Sequence, residues 1–359
     1  MQRINIKTDN IPKDDIIQFR KFQSELIRNA RAAAKHDSCL LCGKRVNSFC
    51  NSHSIPQMCL KNISSVGKLD SIFSFVDSDA FDRDTGINKA GTFHVICNDC
   101  DSRAFQKYEN SDSYIHNPED DNELINQIAL KNILRDIYKH ELELEMFKLM
   151  PTAIKEKSKN PLAYYTASIV NTAQMKAREF DISECYSALE KCKSSIEKHI
   201  PWLDVLMFEK LDYVVPIAYQ GMIAITTGFN HEIINNKFSY EKGYNIEYIH
   251  IAVFPFEKNS IVCLFMDKEN TRYNQFVERF SKLSKTRKIH CISYLLFLYC
   301  EDYFLTKDLS HKTMGRIRSI ATSHEDLISV DAQKTLAEAI EEYDLNKAWE
   351  FPNILGIHK

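Results

Sequence analysis

The sequence predicts an α+β protein with a cysteine-rich segment towards its N-terminus, a helical connector in the middle and a sheet with packed helices in its last third. Three observations predict this. Two CxxC pairs, Cys39 with Cys42 and Cys97 with Cys100, bracket one segment. Apolar residues then recur at helical spacing from 121 to 150 and from 162 to 200. After Pro201, β-branched and aromatic runs alternate with turn-like residues before helical spacing returns.

Residues 12 to 36 open as an amphipathic helix, with Asp14 and Asp15 at its start and Ile16, Ile17, Phe19, Phe22, Leu26 and Ile27 on one face. Arg20, Lys21, Arg28, Arg31 and Lys35 lie on the other face, which reads as solvated or as phosphate-contacting. The cysteine-rich segment runs from 39 to 109, and its stretch 64 to 90 reads as an insertion or long loop rich in Ser, Asp and Gly. In the connector, Leu124, Ile125, Ile128, Leu130, Ile133, Leu134 and Ile137 mark one long helix, and Pro151 and Pro161 mark the break before a second. Strands are expected at Tyr213 to Tyr219, Met222 to Phe229, Ile246 to Phe254 and Ile261 to Met266, with Gln220-Gly221 as a turn. Helices are expected at 271–285, 289–305 and 331–349. The expected division is therefore 1–118, 119–205 and 206–359.

With 46 basic and 49 acidic side chains the formal charge is −3, so any contact with nucleic acid has to come from a local patch. The 9 glycines form neither GxGxxG nor GxxxxGK[ST], which argues against the usual phosphate-cradling loops. The N-terminal MQRINIKTDNIPKDD has no signal-type apolar core, and the longest apolar run, Ile292 to Cys300, is too short to span a bilayer. The expectation is a soluble cytoplasmic protein without a membrane partner, its 11 cysteines reduced or bound to metal.

CxxC spacing lets two thiolates of one tight turn meet a tetrahedral ion at about 2.3 Å, and two such pairs make a four-cysteine zinc site of Cys39, Cys42, Cys97 and Cys100. Buried thiols or a redox pair are the bland reading. The long interval Gly43 to Ile96 exceeds the usual ribbon spacing, and Cys50 and Cys59 inside it stand as substitute ligands, although small buried hydrophobes are their commoner role. Cys185, Cys192, Cys263, Cys291 and Cys300 read as packing residues. His231-Glu232 and His324-Glu325 begin like HExxH, but Asn235 and Ile328 stand where the second histidine belongs. The aromatic strands around Tyr248, Phe254 and Phe256 read as half-buried sheet before a base-stacking platform.

Asn51-Ser52-His53-Ser54-Ile55-Pro56 follows the first pair, and Gly91-Thr92-Phe93-His94-Val95-Ile96 leads into the second pair and Asp101. This span resembles the HNH, or His-Me finger, nucleases braced by a four-cysteine zinc site, where a His-x-x-Pro strand end follows one CxxC and a second CxxC opens the helix. The resemblance implies a zinc-braced ββα finger that hydrolyses phosphodiester bonds in nucleic acid, DNA in the first instance. His53 would be the base, and Asp101 would hold a catalytic Mg²⁺ or Mn²⁺. The sequence departs from the family at Ser52, where the family often has a metal-binding Asp or His, at Thr92 in place of its Asn, and at Asp101 and Phe105 in place of later histidines. Asp101, Phe105 and Glu109 fall on one side of a helix opening at Cys100, with Glu109 a distant accessory and helix capping the bland role for Asp101. His94 reads as a surface histidine or a supplementary ligand. By analogy of domain arrangement, the α+β C-terminal part would sense, regulate or recruit, through a protein partner or a second copy of the chain, as in bacterial antiviral effectors. The rival expectation is a non-catalytic zinc module for nucleic-acid or protein binding, with His53 as packing.

Overall fold

The computed structural model describes residues 4–5, 13–71, 76–77, 84–115, 118–157, 161–236, 243–300, 302–323 and 340–357. The N-terminal part comprises β1 (Ile4–Asn5), α1 (Lys13–Ala33), β2 (Ser52–His53), α2 (Gln57–Ile63), β3 (Lys68–Ser71), β4 (Val76–Asp77), β5 (Asp84–Gly86), β6 (Thr92–Phe93) and α3 (Asn98–Ala104). A helical hairpin follows, α4 (Asn122–Lys157) and α5 (Pro161–Glu197). The rest comprises β7 (Leu203–Leu211), β8 (Ile217–Ile223), β9 (Ile249–Pro255), β10 (Ser260–Asp267), α6 (Asn274–Ser281), α7 (Lys285–Tyr299), β11 (Phe304–Leu305) and α8 (His311–Ser323). The architecture is the α+β class expected. No helix among the described residues is long and apolar enough to cross a membrane.

A seven-stranded sheet in the order β5-β3-β11-β8-β9-β10-β7, antiparallel at every pairing, is the centre of the molecule. Alternation along its strands separates two cores. Ile251, Val253, Val262 and Leu264 join α7 and its neighbouring helices, whereas Ala252, Phe254, Cys263 and Phe265 join the cysteine-rich segment and α4. The second core thus draws residues from all three stretches of the expected division, and the finger is seated on the sheet rather than tethered beside it.

The local differences from the sequence reading have physical causes. The interval 64–90, read as a loop, supplies β3 and β5, which extend the sheet beyond β11. Gln220-Gly221, read as a turn, lies inside the continuous strand β8. Gly221 leaves room for the Tyr219 ring, whose hydroxyl oxygen would lie 2.4 Å from a Cβ there, and the buried Gln220 side chain is bonded to the Tyr108 hydroxyl and the Ile128 carbonyl. Strand β7 carries no alternating signal because a bulge opposite Leu264 and Phe265 breaks its register, leaving Leu203, Met207 and Leu211 buried at helix-like intervals. Helix α4 runs through Pro151 instead of ending there. A proline at that position leaves the Phe147 carbonyl without its helical donor, and the Asn171 amide of α5 donates to it at 3.1 Å. The first part of the expected helix 331–349 lies outside the described residues, and Leu345–Glu350 is a 3₁₀ helix.

Candidate metal centre and the adjoining polar site

The first thiol pair sits on a tight turn. Gly43 N–H donates to the Cys39 carbonyl at 2.8 Å and Cys39 N–H to the Lys44 carbonyl at 3.0 Å, a path that takes Gly43 to φ +67°. The second pair opens α3, with Cys97 at its N-cap. Two main-chain bonds tie the turns together, Leu40 N–H to Val95 O at 3.0 Å and Cys50 N–H to Ile96 O at 2.8 Å. As a result the sulfurs of Cys39, Cys42, Cys97 and Cys100 all lie within 4.8 Å of one another, and those of Cys42 and Cys97 are 3.9 Å apart. A tetrahedral Zn²⁺ with bonds of about 2.3 Å needs sulfurs about 3.8 Å apart, so four soft ligands at this separation fit zinc. The Cys97 N–H, 3.3 Å from Cys39 Sγ, supplies the outer-sphere hydrogen bond that steadies a ligating thiolate.

Strands β2 and β6 pair antiparallel with Ser52 opposite Phe93 and His53 opposite Thr92, and the chain continues from β6 through the second thiol pair into α3. This is the ββα order expected. Gly91, at φ +63°, passes so close to Ser54 that a Cβ there would meet its hydroxyl at 2.4 Å. His53 is half-buried, and its Nε2 lies 3.3 Å from the Ile87 carbonyl. Burial, assisted by the Lys131 charge, lowers its pKa below the usual histidine value against the opposing pull of the Ile87 carbonyl and Asp101, so the ring is neutral at pH 7. Thr92 donates to the Lys89 carbonyl at 3.4 Å. His94 is exposed, with Nδ1 3.1 Å from the Cys50 carbonyl and its ring edge-on to Tyr138.

Asp101 is not a cap. Its side chain turns from α3 into a polar knot closed by a residue of another element, Lys131 of α4. The Lys131 ammonium lies 2.9 Å from Asp101 Oδ1, 2.9 Å from Ser52 Oγ and 3.6 Å from Glu109 Oε1. Ser52 donates to the same Oδ1 at 2.6 Å, and the Cys50 thiol donates to Oδ2 at 3.3 Å. Burial pushes the Asp101 carboxyl up, but Lys131 and the hydrogen bonds from Ser52, Lys131 and Cys50 outweigh it and hold its pKa below the usual aspartate value. Burial, and next the Asp101 charge, push the Cys50 thiol up to about 12, so Cys50 stays a protonated donor. It is a hydrogen-bonding member of the knot rather than the packing residue expected, while Cys59, fully buried, does pack.

Lys131 has a side chain 0% exposed, with its ammonium 3.8 Å from the centroid of the Phe105 ring and within 6 Å of those of Tyr108 and Phe93. The helix ends at Ala104, so Phe105 and Glu109 lie beyond it instead of on one helical side as expected, yet Asp101, Phe105 and Glu109 all meet this ammonium. Mg²⁺ or Mn²⁺ does not fit Asp101 in this arrangement. Both carboxylate oxygens have protein donors, and a monovalent cation already lies against one of them. The signal for Lys131 was a single lysine inside the apolar run from Ile128 to Leu134.

A second polar region lies one turn further along α4. A cavity of about 240 Å³ opens there between α4, α5, β8 and the end of α7. Arg135 pairs with Asp136 and Asp302, Lys139 lies 3.5 Å from Asp302, and Arg178 bonds Asp181 and the buried Glu143, each at 3.0 Å. Comparison of the chain with known protein families, with characterised proteins and with solved structures returns no match.

Proposed function

We propose that the chain acts on nucleic acid through the thiol-closed finger, with His53 as the general base in hydrolysis of a phosphodiester bond. The reading rests on the resemblance of the span Cys39 to Asp101 to the HNH fingers, and one observation carries it. The ribbon directs His53 Nε2 at the Ile87 carbonyl, which makes that nitrogen the donor and leaves Nδ1 of a neutral ring without a protein partner among the described residues. A water held at Nδ1 would lose its proton to the ring as its oxygen attacks phosphorus, and the leaving oxygen would depart on the opposite side. The exposed Lys21, Arg28, Arg31 and Lys35 form one stripe along α1 and its C-terminal end, with Lys44 and Arg45 exposed on the adjoining thiol turn, a local basic patch suited to phosphates. The side chain of Arg20, expected on the same stripe, lies outside the described residues. A sensing or recruiting role for the C-terminal sheet, a protein partner or second copy bound there, and a place in antiviral defence extend the same proposal by analogy.

Base catalysis supplies only about 10²–10⁴-fold, and preorganised positive charge is commonly the larger contribution. The enclosure of Lys131 against Asp101 therefore favours a second reading, a non-catalytic zinc module that docks nucleic acid or a protein. Zinc-loaded full-length chain incubated with plasmid and with single-stranded DNA and RNA, beside His53→Ala, separates the two. Slow nicking is expected, reduced about 100-fold or more by the substitution while a gel shift is retained. Because its pKa is lowered, His53 remains the unprotonated base at pH 7, and the rate should fall only below about pH 6.5. Wild-type chain that binds and never cleaves leaves the second reading standing.

A further inference from the structure

We propose that the Lys131 ammonium is the resident cation of the finger, standing where a divalent ion would sit on Asp101, so that the protein takes no divalent ion there. The inference deepens the finger reading given above, yet it concerns ion binding and can fail or hold whether or not any strand is cut.

Four observations carry it. The ammonium touches the acid that the finger offers as a metal ligand, at 2.9 Å, and shares with it the hydroxyl of Ser52 from β2. Both ends of the ββα unit, the strand bearing His53 and the helix bearing Asp101, are therefore joined through one charge supplied from outside the unit. Second, the Asp101 oxygens are already engaged by donors, Oδ1 by Ser52 and Lys131 and Oδ2 by Cys50. Oδ1 thus has both lone pairs taken by Ser52 and Lys131, and a divalent ion approaching the lone pair left on Oδ2 would meet the repulsion of the Lys131 charge already lying against this carboxylate. Third, a further acid, Glu109, is 3.6 Å from the same ammonium, so the two carboxylates of this site share a monovalent cation. Fourth, the ammonium cannot swing aside. The Phe105 ring lies 3.8 Å from it, and the neighbouring Asn132 is bonded to the Gly221 carbonyl and to His250, which fixes this turn of α4 against the sheet.

The test is a Mn²⁺ titration of the zinc-loaded full-length chain, with free Mn²⁺ read by electron paramagnetic resonance. Wild-type protein should leave Mn²⁺ free up to the millimolar range. Lys131→Met, which keeps the length and apolar volume of the stem and removes the charge, should gain one Mn²⁺ per chain, and Asp101→Asn in that background should remove it. One Mn²⁺ bound by the wild type and lost in Asp101→Asn overturns the proposal. So does a folded Lys131→Met protein that binds none, because the ammonium would then not be holding a metal position. Should Lys131→Met fail to fold, the wild-type and Asp101→Asn titrations still decide the matter.

Discussion

Lys131 and Arg135 are one helical turn apart on α4 and meet two opposite environments. Lys131 is enclosed by aromatic rings, with Asp101 as its close counter-ion. Arg135 borders a cavity of about 240 Å³, pairs with Asp136 and shares Asp302 with Lys139. A charge removed from the first place leaves the Asp101 and Glu109 carboxylates together without the ammonium between them. In the second, Lys139 remains beside Asp302. The comparison teaches that the worth of a buried ion pair depends less on its separation than on what can replace a lost member.

The largest expected effect lies at the thiols, which hold both halves of the finger. Cys39→Ser or Cys97→Ser should lower zinc from about one per chain towards none by elemental analysis. The finger should lose its protection from hydrogen exchange, since binding free energies of structural zinc are of order 10 kcal/mol in isolated fingers. Retained protection without zinc would mean that the hydrophobic core around Phe93, Val95 and Ile96 suffices to hold it.

Next comes the comparison itself. Lys131→Met and Asp101→Asn should each cost about 3–5 kcal/mol in urea unfolding, with the double variant costing clearly less than their sum. Arg135→Met should cost clearly less than Lys131→Met, because Lys139 stays beside Asp302. Equal costs at the two positions would break the contrast between a cation without a substitute and one with Lys139 beside it.

Much of this arrangement was legible in the sequence because it is local. CxxC spacing marks a thiol turn, and the resemblance of the stretch from His53 through Thr92 to Cys97 marks ribbon and helix, whereas the expected helical row Asp101, Phe105, Glu109 is cut short because α3 ends at Ala104. What could not be read is what one element brings to another. Lys131 lies in a different helix from the finger it completes, and its stretch scans as an ordinary apolar face with one lysine in it. Likewise Pro151 signals a break unless Asn171 of α5 is known to supply the missing donor, and Gly221 signals a turn unless the Tyr219 ring that fills its place is known. In each case a local rule was overridden by one tertiary contact.

The smallest expected effect concerns how α1 is fastened to α4. Phe22, Leu26 and Ala30 pack with Leu142, Met146 and Leu149, and just past the helix His36 Nε2 lies 2.6 Å from Glu141 Oε2, an acid that also accepts from the Tyr186 hydroxyl. The hydrogen bond to Glu141 raises the His36 pKa above 6.5, against the lowering effect of burial. A pKa raised on folding gives stability that is fully present below the unfolded value and is lost as pH rises through the folded one. Stability should therefore decline from about pH 6.5 upward until His36 is neutral, by up to about 1 kcal/mol, and His36→Gln should remove that slope. Partial exposure of the pair implies that raised salt flattens the wild-type slope as well. Parallel pH profiles for the two proteins would show that the apolar contacts alone hold α1, leaving Glu141 without a role in fastening the basic stripe to α4.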